Sequence, residues 1–148
     1  MRNRAFTLIE ALVVLGITGI LLAIGAINLR GLNNPLQNGA SQLEGFFKQA
    51  RSKAMATTSA YRIRAESAVR LVAEHAANCN AAAWTEDPRL TLEFTEGVRV
   101  SGTNSPVAWP VCFTSRGLAN KNLIVTLSDA NNRTRQVEIM LGGGVRPR

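Results

Sequence analysis

Phe6-Thr-Leu-Ile-Glu10, continued by Ala11-Leu-Val-Val-Leu-Gly-Ile-Thr-Gly-Ile-Leu-Leu-Ala-Ile-Gly-Ala-Ile27, decides how this chain is organised. No charge falls between Ala11 and Ile27, and the 24 residues from Phe6 to Leu29 are enough helix for about 36 Å, sufficient to span a bilayer core. Arg2 and Arg4 form a short basic tip that the positive-inside bias keeps cytoplasmic. A cleavable secretory signal fits poorly. The run is longer than an h-region of about 7–15 residues, and no A-x-A site follows it. A plain membrane anchor fits everything except Glu10. A carboxylate at the apolar end of a membrane helix costs about 2–3 kcal/mol, a penalty that calls for a compensating cation. A neighbouring molecule is its natural source.

Outward from this stem the chain changes character. It has 148 residues, room for one ordinary domain, with 17 Lys+Arg against 10 Asp+Glu and a net charge of +7. Hydrophobic residues make up 46% and charged ones 18%, which excludes a wholly disordered chain. Gly31-Leu-Asn-Asn-Pro35 breaks the helical pattern with turn formers, and a kink or a short unwound stretch is expected there. Helical spacing then resumes at Leu43, Phe46, Phe47, Ala50 and Ala54, an apolar stripe suited to packing on a sheet, with Lys48, Arg51 and Lys53 mostly on the other face. Ser41 and Glu44 have the spacing of a capping box inside or opening this segment. If continuous, residues 6–58 form about 80 Å of helix.

Beyond Tyr61 the period becomes that of strands. Leu90, Leu92 and Phe94 alternate with polar residues, and Glu96-Gly97 predicts a bend or hairpin before Val98 and Val100. Val111 and Phe113 make a short strand. Leu123–Leu127 and Gln136–Leu141 flank a turn-rich stretch and predict a hairpin, and residues 61–74 read as one or two further strands. Residues 75–88 read as loop, with His75 a solvated member of it. The expected class is α+β: a long N-terminal helix, membrane-spanning in its first half and amphipathic in its second, packed on a C-terminal antiparallel β body.

The N-terminal residues Ala5-Phe6-Thr-Leu-Ile-Glu10, followed by an apolar helix, resemble the class III signal of type IV pilins and type II secretion pseudopilins. Val111-Cys-Phe-Thr-Ser-Arg-Gly117, the following strands and the Gly- and Arg-containing end are similar to the GspH/FimT branch of that family. The resemblance implies a pilin-like fold. It also implies a leader over 1–5, cleavage between Ala5 and Phe6 by a prepilin peptidase, and methylation of the new Phe6 amine. A transmembrane and assembly helix over 6–29, its kinked amphipathic continuation over 30–58 and a β body over 59–148 follow. Glu10 then pairs with the Phe6 amine of an adjacent subunit, which supplies its cation. The family usually has Gly where this chain has Ala5. The implied setting is the inner membrane before assembly, with the body extracytoplasmic, and a filament afterwards. The implied partners are other pilin or pseudopilin subunits. The first expected function is a minor pilin of a type IV pilus, and the alternative is a GspH-like secretion pseudopilin that contacts other pseudopilins or cargo.

Charge is uneven along the body. Ser59–Ser115 carries 5 basic and 6 acidic residues, whereas Arg116–Arg148 carries 6 and 2. Arg133 and Arg135 belong to the predicted hairpin, and Arg146 and Arg148 to a tail opened by Gly142-Gly-Gly144. Glycines followed by arginines suit phosphate contacts, because guanidinium can grip a phosphate through two N–H groups. The FimT side of the family has a C-terminal Gly-Arg-x-Arg motif associated with DNA binding. Here Val145 separates Gly144 from Arg146-Pro-Arg148. Double-stranded DNA is therefore one expected partner of Arg133, Arg135, Arg146 and Arg148, and the other reading is that they solvate the surface or make contacts between subunits. Trp84 and Trp109 could stack on bases but are better read as packing residues.

Catalysis is not expected. The one His and two Cys form no CxxC or HExxH pattern, and a structural zinc site needs about four N/S ligands. No cofactor is implied. Gly142-Gly-Gly144 lacks the Lys-Ser/Thr of a phosphate loop. In an exported chain Cys79 and Cys112 are best read as one disulfide, contributing about 3–4 kcal/mol in the loop-entropy description.

Overall fold

A computed structural model describes residues 8–31, 34–95, 97–103 and 109–148, apart from the side chains of 24–31. The chain divides into two compact units, one ending at Asn34 and the other beginning at Pro35. The first holds α1 (Leu8–Gly31), which is apolar on every side. Its described large side chains lie open, from Val14 at 50% exposure to Leu8 at 79%. Thr18 does not interrupt this surface, since its hydroxyl donates to the Val14 carbonyl at 2.8 Å. Among the described residues no helix is long and apolar enough to cross a membrane. The described side chains of α1 stop at Ala23, and the apolar sequence continues to Ile27.

The second unit begins with α2 (Pro35–Ala56). Pro35 occupies the first helical position, where its missing N–H is no loss. The helix is therefore under way well before Ser41, and Ser41 with Glu44 is not a capping box. Glu44 instead accepts from Lys48 one turn later, at 2.5 Å. The predicted stripe of Leu43, Phe46, Phe47, Ala50 and Ala54 is buried, extended by Leu36, Gly39 and Ala40. Gly39 is required by close approach. A Cβ there would lie 2.9 Å from Cγ1 of Val98.

Among the described residues eight strands follow α2: β1 (Ala60–Ala65), β2 (Arg70–Ala76), β3 (Thr85–Glu93), β4 (Arg99–Thr103), β5 (Val111–Phe113), β6 (Leu123–Ser128), β7 (Thr134–Ile139) and β8 (Val145–Pro147). They form two antiparallel sheets, ordered β3-β2-β1-β5 and β4-β6-β7-β8. Ile63, Leu71, Ala73, Val111 and Phe113 from the first and Leu123, Val125, Leu127, Val137 and Ile139 from the second share one core with α2. Phe47 lies within it, stacked on Trp109 with ring centroids 6.3 Å apart and edge-on to Phe113 at 6.5 Å. Trp109 is thus a packing residue.

The bend or hairpin expected at Gly97 (φ 75°) is a bend, and it carries the chain from the first sheet to the second, where β4 pairs with β6. Three other expectations are corrected. His75 lies within β2, half-buried, with its ring 5.7 Å from that of Tyr61. The glycine-opened tail is not free: Gly142–Gly144 forms a turn and β8 returns along β7, with Ile139 opposite Val145. Of the expected loop 75–88, residues 77–84 are loop, whereas residues 85–88 are the start of β3. The loop is fixed to the face of the first sheet away from α2 by the Cys79–Cys112 disulfide. Arg62 and Glu74 share that face opposite one another, and the Arg62 guanidinium lies 4.3 Å from the Trp84 ring centroid. Glu74, 8% exposed, is held by Arg62 and by Arg64 at 3.3 Å.

Candidate functional site

The two candidate regions are the stem and the basic end of the body. Ala5 and Phe6 lie outside the described residues. Glu10 falls in the first turn of α1, where a carboxylate complements the positive end of the helix dipole, and it is exposed among apolar side chains. α1 thus offers one acidic position at the head of an uncharged, mostly apolar run that lasts until Arg30.

The four arginines of the expected basic surface are not equivalent. Arg133 sits in the β6–β7 turn built on Asp129. Oδ1 of Asp129 accepts the backbone N–H groups of Asn131 (2.9 Å) and Arg133 (3.0 Å), and Oδ2 accepts the Arg133 guanidinium at 2.7 Å. Burial pushes the Asp129 carboxyl up, but the Arg133 guanidinium and the two N–H groups outweigh it and hold the group below the usual carboxylate range. Arg146, opposite Glu138 on the edge strand, is paired with that carboxylate at 3.0 Å. Arg135 and Arg148 are exposed and make no ion pair among the described residues. Arg148 donates its backbone N–H to the Gln136 carbonyl at 2.9 Å, which places it beside Arg135 at one end of the sheet.

Arg99 completes that end and was missed by the sequence reading. It starts β4 opposite Ser128, next to the same turn, and is exposed. Its place between Val98 and Val100 marks it as outward-facing, but only the sheet crossing brings it to the Arg135–Arg148 end.

At the other end of α2, two side chains expected to face solvent anchor the helix instead. Arg51 donates to the Gly117 carbonyl at 2.9 Å, and Lys53 pairs with Asp87 at 2.5 Å. Burial pushes the Asp87 carboxyl up, while Lys53 and the Arg89 N–H outweigh it and lower its pKa. Tyr61, which donates to the same carboxylate at 3.3 Å, is raised by burial and then by the Asp87 charge. Gly117 therefore has a structural role in Val111–Gly117: with φ 76° it turns the chain so that its carbonyl meets Arg51. Among the described residues no three or more His, Cys, Asp and Glu side chains gather as a metal site would require.

Residues 1–26 match the prokaryotic N-terminal methylation motif, and residues 39–143 match the type II transport protein GspH. The fold is similar to that of the type IV minor pilin FimU of Pseudomonas aeruginosa, with a TM-score of 0.62 at 19% identity, over 76% of this chain and 87% of that one. It is also similar to the minor pseudopilin EpsH from the type 2 secretion system of Vibrio cholerae, with a TM-score of 0.60 at 12% identity, over 78% of this chain and 97% of that one. No curated protein sequence matches it significantly. An apolar N-terminal helix with an acidic first turn precedes a helix packed on two antiparallel sheets, and the GspH match spans most of the chain: the protein belongs to the family of the type II transport protein GspH.

Proposed function

We propose that this chain is a minor pilin of a type IV pilus, held in the inner membrane by the apolar helix and moved into the filament through that same helix. The observation that carries the reading is the contrast between its two units. The body buries its own core on α2, whereas α1 leaves Leu8, Ile9, Leu12, Val13 and Leu15 more than half exposed. So much open apolar surface needs lipid or other helices around it. A prepilin peptidase cuts between Ala5 and Phe6 and methylates Phe6, and Glu10 then takes the Phe6 amine of an adjacent subunit as its cation. Mass spectrometry of the protein co-produced with a prepilin peptidase tests the processing step. An N-terminal peptide beginning at methylated Phe6 is expected, and an intact Met1 or another cleavage point rejects it.

A second reading, the secretion pseudopilin, is favoured by the match of residues 39–143 to GspH. The body then touches other pseudopilins or cargo. Recovery of the chain in sheared surface pili, against retention with the secretion machinery, separates the two.

For DNA uptake, Arg133 and Arg146 already hold carboxylates. The reading therefore rests on Arg135 and Arg148 in the assembled subunit. Duplex binding that weakens with salt, with a shallower salt dependence in Arg135→Ala/Arg148→Ala, supports it; equal binding by both proteins rejects it.

A further inference from the structure

We propose that, before assembly, Arg99, Arg135 and Arg148 dock the body on the anionic phospholipid headgroups of the membrane that holds the helix. The inference rests on the membrane-anchored reading above. It starts from where these arginines lie within the body. Val98 packs on Gly39 in the first turns of α2, and Gly97 adjoins Ala130 in the β6–β7 turn, 3.7 Å from where a glycine Cβ would stand. The β7–β8 turn at Gly143 instead lies against Arg51, toward the other end of α2. The β6–β7 turn, and with it the three arginines, therefore belongs to the end of the body where α2 begins.

Connectivity brings that end to the membrane. Only Leu32, Asn33 and Asn34 separate α1, which ends at Gly31, from Pro35. Four peptide steps reach at most about 14 Å. A helix buried to its C-terminal turns in lipid leaves the start of α2 within that distance of the headgroups, whatever the orientation of the body.

The chemistry at that end suits phosphate. Arg99, Arg135 and Arg148 are exposed on β4, on β7 and just past β8, and the order β4-β6-β7-β8 spreads them over three strand spacings, about 15 Å. None of the three has an ion pair among the described residues, and the nearby Asp129 is already held by Arg133. Among the described residues the other acidic side chains at this end belong to the first sheet and its β1–β2 turn, where Glu66 is paired with Arg70 at 2.8 Å and Glu93 stands opposite Arg70. The cationic strip along this end thus belongs to the second sheet, with Arg99 and Arg148 on its outer face and Arg135 on the face turned to α2. A duplex would have to enter between body and bilayer to reach it while the subunit is anchored, so lipid is the partner the position favours.

The test uses the full chain reconstituted into vesicles, with an Asn131→Cys substitution at the exposed turn carrying a fluorophore and a headgroup-labelled quencher in the bilayer. Quenching should be stronger in phosphatidylcholine vesicles containing phosphatidylglycerol than in pure phosphatidylcholine, and should fall with salt. Each Arg→Gln change at 99, 135 or 148 should lower the docked-to-undocked ratio about five-fold, the equivalent of about 1 kcal/mol per basic residue. The triple Arg→Lys variant should keep most of the docking, because charge rather than a guanidinium fork drives it. Quenching independent of lipid charge, or unchanged in the triple Gln variant, overturns the proposal. Loss of duplex binding in that variant with quenching unchanged assigns the strip to nucleic acid and also overturns it. A chain that does not float with vesicles at all fails the anchored reading itself, a result distinct from flotation without charge-dependent quenching.

Discussion

At Gly143 the backbone leaves no space for a side chain: a Cβ there would lie 1.8 Å from the Gly117 carbonyl oxygen, and φ is 76°. Both the contact and the left-handed conformation oppose any other residue, and the neighbour is backbone that cannot move aside alone. Gly143→Ala should cost more than about 3 kcal/mol in denaturant unfolding, combining the strain of a left-handed non-glycine residue with the overlap. Gly142 has nothing within 4 Å of its Cβ position, so Gly142→Ala should change stability by less than about 0.5 kcal/mol. Similar losses for both would reject this account of the turn. Asp129 gives a pH prediction of definite sign. Its folded-state pKa lies below the usual 3.8, so its contribution is fully present above that value and is lost as pH falls through the lower folded value. Acidification below about pH 4 should destabilise the wild type by more than Asp129→Asn, as followed by thermal melts across pH. Parallel pH profiles would remove Asp129 from the acid response.

The elements differ in how far the sequence alone could reveal them. α2 was legible because its apolar residues recur at helical spacing and a single face carries the core. The β6–β7 hairpin was legible because a run of turn formers separates two apolar alternations. The crossing at Gly97 was not, since a turn signal specifies a bend but not whether the next strand pairs with the last. Nor was β8: three glycines look like a tether until Gly143 packs against Gly117 and lets Val145 pair with Ile139. The stem's acidic first turn and apolar run were plain from residue types, whereas the basic end was scrambled because pairing with Asp129 and Glu138 depends on the fold. Two element-scale predictions follow from the packing. Phe47, fully buried between Trp109 and Phe113, should cost about 3–5 kcal/mol on replacement by Ala, measured by chemical denaturation; a loss under 1 kcal/mol would contradict its central position. Cys79→Ser/Cys112→Ser opens a crosslink of sequence separation 33 and should cost about 3–4 kcal/mol while freeing the segment around Trp84. Unchanged Trp fluorescence and stability after reduction would show that the loop holds its place without the bond.

For the whole molecule, the sheets offer little to polymerise through. On β8, Arg148 donates toward Gln136 and Gly144 accepts from Met140, so the alternation leaves the backbone of Val145 and Pro147 facing the free edge, where Pro147 has no N–H to give. β3 contains Pro88 beside a register shift, β4 has a shift between Val100 and Gly102, and the backbone of Cys112 in β5 is engaged by Asn120. All four sheet edges are thus short, irregular or capped, and association by strand addition is disfavoured. On the proposed reading α1 is the surface for assembly, and its apolar side chains cannot by themselves fix axial position, because sliding one apolar rod along another changes little. A carboxylate in that setting can fix it, since its charge is stabilised only where a cation meets it. Glu10→Ala should therefore leave the body folded and the chain in the membrane fraction, yet remove it from sheared filaments. Glu10→Asp, with the charge kept on a shorter side chain, should retain part of the incorporation. The decisive readout is the ratio of filament to membrane pools, which a folding defect would lower in both. Wild-type incorporation of Glu10→Ala would mean that register comes from contacts between bodies, and the role given to Glu10 would fall.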